Sequence, residues 1–228
     1  MSIPKNRPPL DTPRRAHYFD PVPEVESKRR VLHLRAGELE IELQADRGVF
    51  GSRAIDLGTL TLLKEAPMPP LEGELLDLGS GYGPIAIALA RRAPRARVWA
   101  VDVNERALEL TRANAITAKT PNVVAALPDE VPEQLRFAAI YSNPPVRVGK
   151  APLHDLLQRW VPRRAPAGNA SLVVRRHLGA DPLPTRRAGP SHLAGRARSH
   201  TGSAVPPVWG GPGTGRGPRR RTPRRPRR

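Results

Sequence analysis

The stretch Leu75-Leu76-Asp77-Leu78-Gly79-Ser80-Gly81-Tyr82-Gly83-Pro84 constrains this chain more than any other. A short run of strand character passes straight into alternating glycines, and a helical stripe of Ile85, Ala88 and Leu89 follows. Gly79, Gly81 and Gly83 keep side chains out of the strand-to-helix turn, so backbone and helix N-terminus can approach a ligand closely. Pro84 suits the first helical turn, where its missing N–H costs nothing. The glycine spacing alone also fits an ordinary tight turn. It departs from the dinucleotide pattern Gly-x-Gly-x-x-Gly, because the third glycine comes one residue early and proline follows it.

The alternation continues downstream. Residues 98–103 read as a second strand, with Asn104 as cap of the next helix, Glu105 in its first turn, and Leu108, Thr111 and Ala115 on one face. Further strands fit 122–124, 137–141 and 170–174, with a helix at 153–161 before the last. Apolar strands separated by helices predict an α/β domain with a Rossmann-like, doubly wound, mostly parallel sheet. Upstream, 31–34 and 39–43 read as a hairpin around Ala36-Gly37, and 56–64 reads as a helix with Asp56 as N-cap.

Two further features carry chemistry. Asp102 ends an apolar strand 25 residues after Asp77. A carboxylate there can accept hydrogen bonds from both hydroxyls of a ribose, or cap the following helix. Asn143-Pro144-Pro145 closes the strand at 137–141 after Ser142, 41 residues after Asp102. A planar amine conjugated to a ring is a poor nucleophile because its lone pair is delocalised. The Asn143 side-chain oxygen and the Pro144 carbonyl can accept one N–H each, orienting the nitrogen and favouring the pyramidal geometry that attack requires. The prolines stiffen the loop that presents these acceptors. Taken alone, the triplet is a proline turn.

In this order the three features resemble the class I S-adenosylmethionine-dependent methyltransferases that modify nitrogen. With Gly48-Val49-Phe50-Gly51-Ser52 and Asp56-Leu57-Gly58-Thr59 added, residues 18–180 look like the small methyltransferase domain of bacterial ribosomal RNA guanine-N2 methyltransferases, the RsmC group. The resemblance implies S-adenosyl-L-methionine as cofactor and ribosomal RNA or the small ribosomal subunit as partner. It implies that Asp77 helps hold the amino group of the methionine moiety, that Val103 lies against the adenine, and that Ala126 and Leu127 stand near the adenine edge. Phe50 then lines the pocket or packs in the core. Val146 stands where this group often carries an aromatic residue that stacks on the target base, and Arg147 and Lys150 either contact phosphates or are solvated. The group also continues after its fifth strand with a helix and a β-hairpin, and carries an additional N-terminal domain. Those C-terminal strands are expected to be missing here.

Composition bears on the tail. The 228 residues carry a net charge of +17, of which twelve arginines against one acid in 181–228 supply +11. That stretch holds nine prolines and eight glycines but no Lys, Glu, Asn, Gln, Ile, Phe or Tyr. Such a segment buries too little apolar surface to offset its ordering entropy. Disorder is therefore expected for 1–16 and 181–228, leaving 17–180 as the domain. The tail reads either as a basic arm for nucleic acid or as the out-of-frame translation of a GC-rich gene; its near-absence of acids and lysines favours the second. The absence of cysteine excludes disulfides and thiolate metal sites. No signal-like N-terminus and no 18-residue apolar run is present, so a cytoplasmic protein without metal or membrane partner is expected, of unspecified oligomeric state.

The sequence supports methyl transfer to a guanine amine in ribosomal RNA, with three rivals. Glutamine-N methylation of a release factor uses the same Asn-Pro-Pro, typically followed by Tyr. A non-catalytic cofactor- or RNA-binding fragment would bind without turnover. A nicotinamide oxidoreductase has no use for Asn-Pro-Pro.

Overall fold

The computed structural model describes residues 25–144 and 150–173, with the backbone of Val208–Gly210. The expectations for 1–16, for Pro145, Val146 and Arg147, and for the tail apart from 208–210 lie outside the described residues.

Strands β1 (Arg30–Ala36) and β2 (Leu39–Ala45) form the antiparallel hairpin that the alternation predicts. Ala36 pairs with Leu39, so Gly37 and Glu38 make the turn, and Gly37 takes the left-handed φ of 64° that a two-residue turn requires. Leu34, Ile41 and Leu43 point inward, while His33, Arg35, Glu40 and Glu42 face water.

The main sheet contains β3 (Glu74–Leu78), β4 (Arg97–Val101), β5 (Val123–Ala126), β6 (Phe137–Ser142) and β7 (Arg164–Val173), all parallel, in the order β5-β4-β3-β6-β7. Helices α1 (Leu57–Glu65), α2 (Pro84–Arg92), α3 (Glu105–Thr117) and α4 (Lys150–Trp160) connect and cover it. The period-two alternation of the strands splits the core. Leu75, Val98, Ala100, Ala139 and Tyr141 face the hairpin, α1, α2 and α3. Leu76, Leu78, Trp99, Val101 and Ile140 pack on the other face with Trp160 of α4. A register shift between Phe137 and Ala139 accompanies the placement of Phe137 beside Trp160, ring centroids 6.3 Å apart. Gly168 sits opposite this shift, where a Cβ would come within 2.8 Å of the Phe137 and Ala138 carbonyl oxygens.

The chain moves outward from β3 to β4 and β5, then returns to the other side of β3 as β6. This reversal opens a crevice at the C-terminal ends of β3 and β6.

Several boundaries differ from the expectations. β5 runs two residues further than predicted, and Asn122 lies before it, its amide donating to the Ala96 carbonyl at 2.9 Å. β7 starts at Arg164 rather than near 170, and α4 at Lys150 rather than 153. The tail is not wholly without structure. Val208–Gly210 forms β8, pairing antiparallel with Ser171, Leu172 and Val173. The outer edge of β7 offers unpaired N–H and C=O groups that an extended segment satisfies whatever its side chains.

Candidate functional site

At the reversal point lies a cleft of about 310 Å³ including its open mouth, lined among others by Phe50, Asp56, Thr59, Gly79, Ser80, Gly81 and Asn143. The predicted residues Phe50, Gly79, Gly81 and Asn143 thus line the same cleft. Asp77, Gly83 and Asp102 are not on its surface but hold the turn that is.

The glycine turn is determined by its contacts. Gly79, Gly81 and Gly83 all have positive φ, at 74°, 57° and 88°. At Gly83 a Cβ would also lie 2.9 Å from Thr111 Oγ1 and Cγ2. Most of the turn's amides are engaged internally. Gly79 and Ser80 N–H donate to the Val101 carbonyl at 2.8 and 3.0 Å, and Gly83 N–H donates to Ser80 O at 3.0 Å. The glycines therefore serve chiefly to open space. From behind, the Thr111 hydroxyl donates to Gly81 O at 3.0 Å, and the Asn114 amide donates to Tyr82 O at 2.9 Å and to Gln44 O at 2.8 Å. One face of α3 thereby joins the hairpin to the turn.

Asp102 stands just past β4, where its carboxylate ties the glycine turn to the residue that caps α3. Its Oδ2 accepts from Gly81 N–H at 2.8 Å and its Oδ1 from Asn104 N–H at 2.9 Å. The lone-pair capacity left on the carboxylate is open to a ligand hydroxyl. The helix cap proper is Asn104, whose Oδ1 accepts from Ala107 N–H at 3.1 Å. Val103 is 38% exposed beside it, and Ala126 is buried at the end of β5, where its carbonyl accepts from Asp102 N–H.

Asp77 is fully buried within β3. Its Oδ2 accepts from Ala86 N–H, in the first turn of α2, at 2.9 Å, while Oδ1 has no partner. Burial, reinforced by the charge of Asp102 and opposed by the Ala86 N–H, pushes its carboxyl up to about 8. Burial also raises Asp102, against the N–H groups of Asn104, Gly81 and Val103. Among the described residues neither acid has a salt-bridge partner. Ser80 Oγ on the cleft wall is likewise buried without a partner. Unpaired buried acceptors beside a cleft favour a ligand carrying positive charge and N–H or O–H donors.

Asn143 follows β6 at 9% exposure. Its Nδ2 donates to Asp56 Oδ2 at 2.8 Å and to Thr59 Oγ1 at 3.1 Å. The carboxamide oxygen is therefore the end left to receive a donor. Pro144 is buried beside it. Lys150 starts α4, and only its backbone is described. Asp56 caps α1 as predicted, through Gly58 N–H at 2.8 Å, but its bond to Asn143 was not anticipated. Nor were Thr59 and Ser80 read as part of the site; the Asp56-Leu57-Gly58-Thr59 segment was the available signal.

The family model for the methyltransferase small domain matches residues 40–195. The chain is 32% identical over 167 residues to the uncharacterised protein YbxB of Bacillus subtilis, covering 72% of this chain and 83% of that one. It is 38% identical over 154 residues to ribosomal RNA small subunit methyltransferase C of Aeromonas hydrophila, covering 65% of this chain and 44% of that protein. Against the Pseudomonas aeruginosa protein of the same name the identity is 36% over 170 residues, 72% and 50% of the respective lengths. The chain thus spans half or less of these two relatives. A solved T. thermophilus 16S rRNA N2 methyltransferase (RsmC), in complex with AdoMet and guanosine, shares the fold at a TM-score of 0.68 and 24% identity, covering 83% of this chain and 52% of that one. Five parallel strands reversing at β3 and β6, a glycine turn held by Asp102, and a family match from 40 to 195 make this chain a member of the methyltransferase small domain family.

Proposed function

We propose that the chain is an S-adenosylmethionine-dependent N-methyltransferase acting on the exocyclic amine of guanine in ribosomal RNA, in the cytoplasm. The observation that carries this reading is the Asn143 carboxamide, fixed at the end of β6 with its nitrogen held and its oxygen left as an acceptor.

The residues present fit the cofactor. Its ammonium group matches the unpartnered Asp77 Oδ1, directly or through water, and its ribose hydroxyls match the remaining lone pairs of Asp102. The exposed Val103 after Asp102 and Phe50 on the cleft wall offer apolar surface for an adenine, with Ala126 buried beside Asp102 at the end of β5. When bound, S-adenosylmethionine would supply an electrophilic sulfonium methyl to the amine lone pair, the S–C bond giving its electrons to sulfur as the N–C bond formed and one amine proton leaving to water. Asn143 Oδ1 and the Pro144 carbonyl accept the two N–H groups, which localises the lone pair and holds it in line. These acceptors also stabilise the positive charge that develops on the nitrogen. No base of unusual pKa is needed, because the nitrogen becomes acidic as it is alkylated.

Guanine as the base and ribosomal RNA as the substrate follow from the relatives named methyltransferase C and from the T. thermophilus neighbour solved with guanosine. The test is labelled-methyl transfer to ribosomal RNA from cells lacking the endogenous activity, with a protein release factor as competitor. Label in RNA recovered as N2-methylguanosine is expected. Label confined to the protein overturns the substrate, and cofactor binding without transfer to either overturns the enzymatic reading.

A further inference from the structure

Asp56 and Gly58 stand 87 and 85 residues before Asn143, yet the fold closes all three together. From this geometry we infer that Asp56 is a positioning residue for methyl transfer: it sets which end of the Asn143 carboxamide faces the incoming amine. The inference rests on the amine-orienting role proposed for Asn143.

A carboxamide has a donor end and an acceptor end of nearly the same shape, and a half-turn exchanges them. Only the oxygen can accept an amine N–H. A neutral neighbour such as a hydroxyl tolerates either orientation, because it can donate or accept. An ionised carboxylate offers acceptors only, so it admits the nitrogen and repels the oxygen. Asp56 Oδ2 lies 2.8 Å from Asn143 Nδ2, and Thr59 Oγ1 at 3.1 Å adds a second acceptor on the same side. The flipped state would place two oxygens against each other in a half-buried site. Donation to a carboxylate also polarises the carboxamide and leaves more negative charge on its oxygen, the atom that meets the amine.

Gly58 makes the arrangement possible. A Cβ there would lie 2.6 Å from Asn143 Oδ1, 3.0 Å from its Cγ and 2.8 Å from Asp56 Oδ2. Gly58 is helical, with no positive φ to explain it. Its requirement is the room taken by the Asn143 side chain. The Asp56-Leu57-Gly58-Thr59 segment thereby acquires a reason: a cap, a gap and a hydroxyl arranged around one carboxamide.

Asp56 also caps α1, so the test must separate the two roles. Asp56→Ser keeps a good capping oxygen but is too short to reach Asn143. Asp56→Asn keeps at full length an acceptor oxygen that the Gly58 N–H holds towards Asn143, because both donors share the one oxygen, and serves as the conservative rescue. In the full chain, the side-chain amide signal of Asn143, identified by its loss in Asn143→Ala, is followed by ¹H–¹⁵N correlation. A shifted, slowly exchanging amide proton is expected in the parent and in Asp56→Asn, and its collapse to solvent-like exchange in Asp56→Ser. Methyl transfer at saturating cofactor and RNA should fall about 10-fold or more in Asp56→Ser, with cofactor Kd within about twofold, and stay within about threefold in Asp56→Asn, the scale of losing the aim of one preorganised acceptor. Gly58→Ala, whose Cβ would displace Asn143, should lower transfer similarly. An Asp56→Ser chain with the parent's rate, or one that slows while the Asn143 signal is unchanged, overturns the positioning role alone. A parent that transfers no methyl to RNA overturns the functional reading itself, and the positioning role with it.

Discussion

Asp77→Asn tests how the glycine turn and the cleft are coupled electrostatically. The substitution keeps the shape of the side chain and an oxygen to accept from Ala86 N–H, and removes the titration. In the folded chain burial holds the Asp77 carboxyl near 8, against 3.8 for the ordinary group. A carboxyl raised on folding binds its proton more tightly in the native state. Its contribution to stability is therefore full below the ordinary value and is lost as pH rises towards about 8. Between about pH 5 and about pH 8 the loss is roughly three pH units at about 1.4 kcal/mol each, or about 4 kcal/mol. The Asn variant has no such slope, so it should gain about that much on the parent across the interval. Urea unfolding at both pH values, followed by the fluorescence of buried Trp99 and Trp160, measures it. Saturating S-adenosylmethionine should flatten the parent's slope, because an ammonium at Oδ1 stabilises the carboxylate, while binding to the Asn variant weakens. A parent-to-variant difference that changes by less than about 1 kcal/mol between the two pH values would refute the buried, unpaired acid.

Two other substitutions separate structural from ligand roles. Gly83→Ala forces a non-glycine residue to φ 88° against Thr111 and disturbs the Thr111–Gly81 hydrogen bond. It should cost about 2–4 kcal/mol in urea unfolding, and a loss below about 1 kcal/mol would mean that the turn relaxes freely. Asp102→Ala should weaken S-adenosylmethionine binding by roughly 1.5–3 kcal/mol in calorimetry and also lower thermal stability, because the Gly81 and Asn104 amides lose their acceptor. Unchanged affinity with reduced stability would make Asp102 a structural cap alone.

What could be read in advance was local. Gly83 is dictated by its own φ, Asn104 and Asp56 by the orphan amides of the helices they precede, and the hairpin by strict alternation around Gly37. The parallel sheet followed from apolar strands spaced by helices. What was missed depends on contacts distant in sequence. The Asp56–Asn143 bond spans 87 residues and the Asn114–Gln44 bond 70, and no pattern within either segment announces its partner. The early start of β7 at Arg164 was hidden because 164–168 carries a proline and a glycine rather than an apolar alternation, its pairing being set by the shift opposite Phe137. Ser80 carries no sequence signal between its glycines, because the burial of its hydroxyl on the cleft wall is set by the fold around the turn.

The central claim is that one wall of the cleft holds the cofactor while Asn143 orients the amine. It is tested most directly by single-turnover methyl transfer to ribosomal RNA with Asn143→Ala beside the parent, cofactor affinity being measured on the same samples. Transfer by Asn143→Ala should fall by about 10²–10³, the scale of losing one preorganised group in a transition-state site, with cofactor Kd nearly unchanged. Equal transfer by the variant and the parent would contradict it.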